Sequence, residues 1–253
     1  MGHVLAFAIQ KGGSGKTASV YNLGPLLAER GAKVLVIDID PQANATDGLG
    51  VDTSTHEYST YEVLLNPQEG TGFATITTDV GVDLIPSTID LAGAELELAG
   101  KIGREQLLAK ALRKTRDQYD YILIDPPPTL GLFTINALAA ADAVLVPVQA
   151  HPDAYKAIPT LEATIDLVRD LNSRLQLGGM FCTMTDRTNV SVTIEEKTRE
   201  QYGTLVFRTT IPRNTTIAEA KLARQPISTY APTSAGGVAY AQLAEEIEER
   251  YGR

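Results

Sequence analysis

Short apolar runs alternate with longer segments of helical periodicity along the 253 residues of this chain. Apolar runs of this length are typical of strands that are buried on both faces, as in a parallel sheet covered by helices. The predicted strands are residues 4–9, 33–37, 82–85, 121–124, 143–148, 180–184 and 205–207. The predicted helices are residues 17–29, 104–116, 132–139, 154–172, 190–202 and 234–251. The alternation predicts right-handed βαβ crossovers, and hence an α/β fold with a doubly wound, mostly parallel sheet and helices on both of its faces.

No feature of the sequence divides the chain into parts. It contains no internal repeat and no linker, so residues 1–253 are predicted to form a single domain. Residues 52–72, which are rich in Thr, Ser and Gly, are predicted to be a surface excursion. In the first predicted helix, Pro25 lacks an amide hydrogen and should clash with the carbonyl of Tyr21, so a kink is predicted there.

Composition excludes several classes of site and of protein. The single cysteine, Cys182, rules out an internal disulfide and a cysteine-based zinc site, and the three histidines lack ligand spacing. The net charge of −9 argues against a protein that coats nucleic acid through its overall charge, although it does not exclude a local basic patch. No apolar run reaches the roughly 18 residues of a membrane-spanning helix. The start of the chain lacks a basic leader, so a cytoplasmic protein is expected.

A glycine-rich loop follows the first predicted strand and opens the first predicted helix. Its residues are Lys11, Gly12, Gly13, Ser14, Gly15, Lys16 and Thr17, with Ala18 next. Successive loop amides and a helix N-terminus form a cationic nest for a polyphosphate, and glycines let phosphate oxygens approach the backbone. Lys16 is predicted to reach the β- and γ-phosphates, and the Thr17 hydroxyl to ligate Mg²⁺. Gln10 stands where the usual pattern has its first glycine.

Acidic residues end two other predicted strands. Asp38 and Asp40 close the second strand, and the alternation along a strand puts both on the same side. Asp125 ends the run 121–124, and the three prolines that follow it stiffen the next loop. Because α/β sheets bind ligands at their carboxyl edge, these carboxylates are expected beside the phosphates, near the metal and the attacking water. The predicted metal residues are Thr17, Asp40 and Asp125.

Together these motifs resemble those of the ParA/MinD family of deviant Walker ATPases. The similarity rests on residues 11–17, 38–46 and 124–131, and matches at 183–189, 210–214 and the C-terminal helix extend it over nearly the whole chain. It is most specific to small chromosomal-type ParA proteins that segregate DNA. The resemblance implies a deviant P-loop NTPase fold, ATP and Mg²⁺ as cofactors, and slow hydrolysis to ADP and phosphate that a partner stimulates.

The resemblance also implies roles for individual residues. Lys11 resembles the signature lysine that crosses a dimer interface to the partner subunit's nucleotide. Asp40 resembles the acid needed for hydrolysis, and Asp125 the acid behind the metal-bound water. Pro212 and Asn214 resemble contacts to adenine. The expected catalytic set is Lys11, Lys16, Asp40 and Asp125.

A local basic excess marks residues 183–224, which include seven basic and five acidic side chains. ParA relatives place one DNA-contacting arginine at the position of Arg187 and another at the position of Thr216 in this chain. The missing contact is expected to come from neighbouring cations. The predicted DNA-binding residues are Arg187, Arg213, Lys221 and Arg224.

The resemblance favours an ATP-driven switch for plasmid or chromosome partition. In that interpretation ATP closes a sandwich homodimer, the dimer binds duplex DNA nonspecifically on the nucleoid, and a ParB-like centromere-binding protein triggers hydrolysis and release. Two alternatives stay open, namely ParA-like positioning of a protein cargo and a MinD-like membrane switch for division-site placement. The membrane switch needs a basic amphipathic tail, whereas four of residues 245–249 are glutamates, so no membrane partner is expected. A cluster-carrying relative would need several cysteines.

Overall fold

One eight-stranded sheet forms the centre of the fold. The computed structural model describes residues 2–252. The strands are β1 (His3–Phe7), β2 (Val34–Asp38), β3 (Ile76–Thr77), β4 (Asp83–Ile85), β5 (Tyr121–Asp125), β6 (Ala143–Gln149), β7 (Gln176–Thr185) and β8 (Ile211–Pro212). Their order is β3-β4-β2-β5-β1-β6-β7-β8, and all neighbours are parallel except β3 and β4. The predicted doubly wound, mostly parallel sheet is confirmed.

Helices cover both faces of this sheet. They are α1 (Lys16–Glu29), α2 (Asn44–Gly48), α3 (Thr60–Leu65), α4 (Leu91–Leu98), α5 (Leu107–Leu112), α6 (Leu132–Ala140), α7 (Pro152–Val168), α8 (Asn189–Tyr202), α9 (Thr215–Leu222), α10 (Ile227–Tyr230) and α11 (Ala235–Tyr251). In β1, Val4 and Ala6 join a core with residues of α3 to α7, whereas Leu5 and Phe7 join a core with residues of α1 and of α9 to α11. Both faces of β1 are therefore buried, which explains why the run that encodes it is apolar throughout.

The predicted strand at residues 205–207 is wrong. Gly203–Leu205 forms a 3-10 turn, and Val206 makes a single bridge to Met180. The Arg250 guanidinium donates to the carbonyls of Thr204 and Leu205 at 3.0 and 3.1 Å, so a side chain from α11 takes the place of a strand partner there. The sheet gains its last strand a few residues later, at β8.

The predicted helix at residues 104–116 is broken into three pieces. Only α5 is α-helical, and 3-10 turns flank it at Arg104–Gln106 and Arg116–Gln118. The side chain of Asn136, on α6, accepts from the Leu108 amide at 3.1 Å and donates to the Arg104 carbonyl at 2.8 Å. This tertiary contact occupies backbone groups that a continuous helix would have paired, so α5 begins late.

Residues 52–72 lie only partly at the surface, which corrects the predicted excursion. They include α3, which Ser59 and Glu62 begin with a capping box and which buries Val63 and Leu64 completely. The Thr60 hydroxyl also donates to the carbonyl of Asp38 at 2.6 Å. The segment thus supports the end of β2, where the predicted acidic residues lie.

Helix α1 packs closely on the sheet. It runs without interruption through Pro25, so the predicted kink does not divide it. A Cβ at the preceding residue, Gly24, would approach the Cγ2 atom of Val36 on β2 to 3.1 Å. The missing side chain lets α1 lie against β2, and this packing fixes the glycine-rich loop between β1 and α1.

Candidate active site

The loop between β1 and α1 has the backbone shape of a phosphate-binding loop. Gly13 and Gly15 have φ angles of +71° and +89°, which residues with a Cβ rarely adopt. Gly15 directly precedes α1, so loop amides and the helix N-terminus face the same space. The Thr183 hydroxyl, on β7, donates to the Ser14 carbonyl at 2.7 Å and fixes the loop to the sheet edge. This arrangement favours a bound anion.

Two adjoining cavities open beside this loop. The first has a volume of about 250 Å³ and is lined by residues 13–18 together with Tyr21, Asn44, Met184 and Lys221. The second has a volume of about 290 Å³, and Pro212 and Asn214 are among the residues that line it. The cavities share Gly15, Ala18, Tyr21, Met184 and Lys221. The first cavity, at the glycine-rich loop, is the more polar and suits the phosphates of a nucleotide. The second cavity, at α9, is more apolar and suits the base.

The structure brings together most of the predicted nucleotide-binding residues. Ser14, Lys16, Thr17 and the other residues of the range 13–18 line the first cavity, and Pro212 and Asn214 line the second. Lys11 and Gly12 line neither cavity. The Lys11 side chain is half-buried, and within residues 2–252 no carboxylate lies at ion-pair distance from it. Lys11 is thus available for a group outside the two cavities.

Two aspartates end neighbouring strands side by side. Asp38 on β2 is in register with Asp125 on β5, and both are fully buried. One Asp38 oxygen, Oδ2, accepts from the amide and the hydroxyl of Thr46, each at 2.8 Å. The other, Oδ1, accepts from the Asp40 amide at 3.1 Å. Burial nevertheless raises the pKa of Asp38 to about 6, because these hydrogen bonds offset only part of the lost hydration.

The Asp125 carboxylate has a different environment. Neither of its oxygens has a hydrogen-bond partner among the described residues. Burial is the largest cause that raises the pKa of Asp125 well above its ordinary value, and the negative charge of Asp38 is the second. The nearby Thr17 hydroxyl lowers this pKa, but it offsets only part of the rise. Burial also lowers the pKa of the Lys16 ammonium, although the charges of Asp125 and Asp40 act in the opposite direction. The site therefore holds buried charges that no protein partner fully neutralises.

The four predicted DNA-binding residues separate into two pairs. Arg187 and Arg213 are exposed beyond the ends of β7 and β8, where the Arg213 amide donates to the carbonyl of Thr185 at 3.0 Å. Arg213 also lines the second cavity, and its guanidinium approaches Asp186 only to 3.9 Å. Lys221 instead donates to Asn44 Oδ1 at 2.6 Å beside the cavities.

Arg224 is held by residues that follow β2. Its guanidinium pairs with Asp47 at 2.9 Å and donates to the carbonyl of Val51 at 2.7 Å. The DNA-binding assignment of all four residues stays a prediction, and geometry favours Arg187 and Arg213.

Comparisons with known proteins agree with this geometry. A family model described as an AAA domain matches residues 2–177. The chain is 43% identical to the sporulation initiation inhibitor protein Soj of Bacillus subtilis (strain 168), over 98% of each chain. It is 45% identical to the chromosome-partitioning ATPase Soj of Thermus thermophilus, over 97% of this chain and 95% of that relative. The chain belongs to the ParA/MinD family of ATPases.

A solved structure similar to this ParA/MinD-family chain contains nucleotide. It is described as cobyrinic acid a,c-diamide synthase from Mycobacterium smegmatis with bound ATP analogue and magnesium. Its TM-score is 0.84 at 36% identity, and the match covers 100% of this chain and 98% of that one. The ATPase activity and the ATP and Mg²⁺ cofactors expected from the sequence are thereby supported.

The residues of this ParA/MinD site fit Mg²⁺ with a nucleotide. No group of three or more His, Cys, Asp and Glu side chains within residues 2–252 is arranged to hold a metal alone. Mg²⁺ commonly takes one or two protein oxygens and completes its coordination with phosphate oxygens and water. The Thr17 hydroxyl and the unpaired Asp125 oxygens are such groups, and a cation here would favour the ionised carboxylates. When bound, Mg²⁺ neutralises negative charge on the phosphates.

Several residues of the site were not predicted to belong to it. Asn44, Met184 and Lys221 line the first cavity, and Thr46 orients Asp38. Met184 has a φ of +52°, a strained conformation for a residue with a side chain, and such strain often marks functional sites. Asn44, Thr46 and Met184 lie within the motif matches at residues 38–46 and 183–189. Their position in these motifs could have identified them as residues of the site.

The C-terminal helix is docked on the sheet. Tyr240, Leu243 and Ile247 of α11 are buried in the core that contains α1. The Glu246 carboxylate accepts from the amides of Arg208 and Thr209, each at 2.7 Å. Among the described residues, no helix has the length and apolarity needed to cross a membrane.

Proposed function

We propose that this chain is an ATP-driven switch for DNA partition, with residues 1–253 acting as one ATPase domain. The observation that carries the proposal is that the phosphate loop, Lys11 and the pair Arg187 and Arg213 lie at one edge of the sheet. Similarity to the Thermus thermophilus chromosome-partitioning ATPase, over nearly the full length of both chains, supports the same function.

Nucleotide-dependent dimerisation follows from the charges at this edge. Lys11 has no carboxylate at ion-pair distance within residues 2–252, so two copies of this lysine repel each other until phosphate lies between them. Lys11 lines neither cavity of its own subunit, which suits a contact with ATP in a second copy. We therefore expect a monomer without ATP and a homodimer with it.

Hydrolysis is assigned to groups that lie at the phosphate end. Lys16 binds the β- and γ-phosphates, and Thr17 and Asp125 support the metal. Asp40 is buried, and its Oδ1 atom accepts from the Gln42 amide at 3.0 Å, which fixes the carboxylate at the site. A fixed carboxylate is suited to orienting an attacking water. A ParB-like centromere-binding protein would accelerate this step and release the dimer from DNA.

DNA binding is assigned to Arg187 and Arg213. Both are exposed, and among residues 2–252 neither has a carboxylate closer than the 3.9 Å between Arg213 and Asp186. Phosphate contacts of this kind carry no sequence information, so binding would be nonspecific. One subunit offers few contacts, whereas an ATP dimer combines two sets, and this makes DNA binding depend on ATP. The protein would then associate with the nucleoid in the cytoplasm.

The burial of the apolar side of α11 disfavours the MinD-like alternative, because a membrane switch must expose such a side. Positioning of a protein cargo would use the same ATP switch. The DNA-retention experiment described next distinguishes it from DNA partition.

Retention of duplex DNA by the Asp40→Ala variant in ATP tests the proposal. Blocked hydrolysis should hold the dimer, and binding should grow with DNA length and be independent of sequence. Two arginines in each subunit give the dimer about four neutralised phosphates, so log affinity should fall with log salt at a slope of roughly −3.6. Lys11→Ala should prevent dimer formation and retention.

Matched arginine variants locate the DNA surface. Arg187→Ala and Arg213→Ala should weaken retention, whereas Arg174→Ala, at an exposed site before β7, should not. If an ATP-locked dimer fails to retain duplex DNA at low salt, the DNA function is wrong and a protein cargo becomes the better interpretation.

A further inference from the structure

Lys221 lies at the junction of the two cavities. It is one of the five residues that line both, together with Gly15, Ala18, Tyr21 and Met184. Its side chain is half-buried, in contrast to the exposed Arg187 and Arg213. Arg224, three residues further along the chain, forms an ion pair with Asp47 instead. Lys221 is therefore the one basic residue between 183 and 224 that lines both cavities beside the phosphate loop.

The charge of Lys221 is not neutralised by the protein. Its ammonium donates to the neutral Asn44 amide oxygen at 2.6 Å, and no carboxylate in the described part of the chain lies at ion-pair distance. The residues that line the first cavity include two cations, Lys16 and Lys221, and no acidic side chain. A half-buried ammonium without a counter-charge favours an anionic ligand in that cavity.

The position of Lys221 indicates which part of a nucleotide it meets. Lys16 begins α1 at the phosphate loop, whereas Pro212 and Asn214 line only the second, more apolar cavity. The shared residues lie between these two ends. In a nucleotide that spans both cavities, the group at the junction is the α-phosphate with the ribose.

We propose that Lys221 is a nucleotide-binding residue that contacts the α-phosphate and ribose of the bound nucleotide. This inference rests on the proposed function, since it takes an adenine nucleotide as the ligand. Helix α9 holds the lysine in place, because the Asn214 side chain caps its first turn by accepting from the Thr216 amide at 2.8 Å and Ala220 is fully buried. Lys221 thus adds a cation from α9 to the cavity that residues of α1 also line.

Equilibrium binding of Mg-ADP and of a non-hydrolysable Mg-ATP analogue to Lys221→Met tests the inference. Methionine keeps much of the aliphatic stem and removes the charge, so packing is largely retained. Because ADP and ATP share the α-phosphate, the affinity for both should fall about tenfold, which corresponds to about 1.4 kcal/mol. Lys221→Arg should recover part of the loss. Lys197→Met, an exposed change on α8 in the same basic segment, is the matched control and should bind both nucleotides normally.

The outcomes separate this inference from the proposed function. If Lys221→Met binds both nucleotides like the unchanged protein while Lys16→Ala does not, the inference is wrong and the ATP site stands. If Lys221→Met loses only DNA retention, with unchanged nucleotide affinity, the residue belongs to the DNA surface and the inference is again wrong. If Lys16→Ala also binds nucleotide normally, the assigned nucleotide site itself fails, and the inference fails with it.

Discussion

Carboxylates at the two edges of the sheet have different partners. At the amino edge, Asp142 Oδ2 accepts from the Val4 amide at 2.9 Å and pairs with Arg116. At the carboxyl edge, Asp125 is more deeply buried and accepts no hydrogen bond from the described residues. Asp125 ends β5 and Asp142 precedes β6, and both strands pair with β1, so the two carboxylates differ in the edge of the sheet at which they lie.

This difference distinguishes a stabilising edge from a ligand-binding one. A buried polar group without a partner costs free energy, so proteins rarely keep one unless it serves another purpose. At the amino edge, Arg116 lacks a partner only at Nε and pairs with Asp142 through Nη2. At the carboxyl edge, by contrast, both Asp125 oxygens and the Ser14 hydroxyl lack partners among the described residues, and the Lys16 ammonium is buried. A bound Mg-nucleotide would supply the missing interactions. Changes at this edge should therefore affect ligand binding first, and changes at the amino edge should affect stability first.

The largest effect is expected for Lys16→Ala. Loss of the charge that binds the β- and γ-phosphates should lower ATP affinity about a hundred- to a thousand-fold. The melting temperature without nucleotide should not fall, because the buried ammonium is incompletely compensated. Titration of a fluorescent ATP analogue and thermal unfolding measure the two quantities. Lys33→Ala, an exposed change at the amino edge, is the control and should alter neither. Normal ATP binding and turnover by Lys16→Ala would contradict the assignment of the carboxyl edge as the ligand-binding edge.

A smaller effect is expected from the titration of Asp38. Its folded-state pKa of about 6 lies above the ordinary value of 3.8, so the folded protein binds more protons between these pH values. As pH rises through this window, Asp38 should therefore lower the free energy of unfolding, by at most about 3 kcal/mol. Below the window this penalty is absent. In denaturant unfolding without nucleotide, the free energy of unfolding should fall more steeply through this window in the unchanged protein than in Asp38→Asn, which keeps the contribution of Asp125. If the free energies of unfolding of the two proteins changed with pH in parallel, Asp38 would not have the raised pKa that its burial implies.

The smallest effect is expected at the amino edge. Asp142→Ala leaves the Val4 amide and Arg116 without their acceptor, which should lower the free energy of unfolding by about 2 kcal/mol. Nucleotide affinity should stay unchanged, because Asp142 lies at the far end of the strands. Asp117→Ala, an exposed change nearby, should have little effect on either quantity. A loss of nucleotide affinity in Asp142→Ala at unchanged stability would reverse the roles given to the two edges.

The sequence predicted those parts of the site that local chain order determines. Lys16, Thr17, Asp38 and Asp125 follow directly from strand ends and a glycine-rich loop, because parallel strands bring their carboxyl ends to one edge. Lys221 could not be assigned in this way, since its place depends on how α9 packs beside the loop and α2.

Tertiary contacts also explain the errors in the predicted elements. Asn136 occupies backbone groups that the predicted helix at 104–116 would have used, and Arg250 takes carbonyls that a strand at 205–207 would have offered. Both contacts join residues far apart in sequence, where local periodicity carries no information.

Binding of ATP with and without Mg²⁺, compared between the unchanged protein and Asp125→Asn, tests the central claim most directly. The unpaired Asp125 carboxylate is assigned to support the metal, so Mg²⁺ should strengthen ATP binding by the unchanged protein. In Asp125→Asn this Mg²⁺-dependent gain should be largely lost, while the melting temperature without nucleotide should not fall. An equal gain from Mg²⁺ in both proteins would contradict the claim that the carboxyl edge keeps Asp125 unpaired for a metal-bound nucleotide.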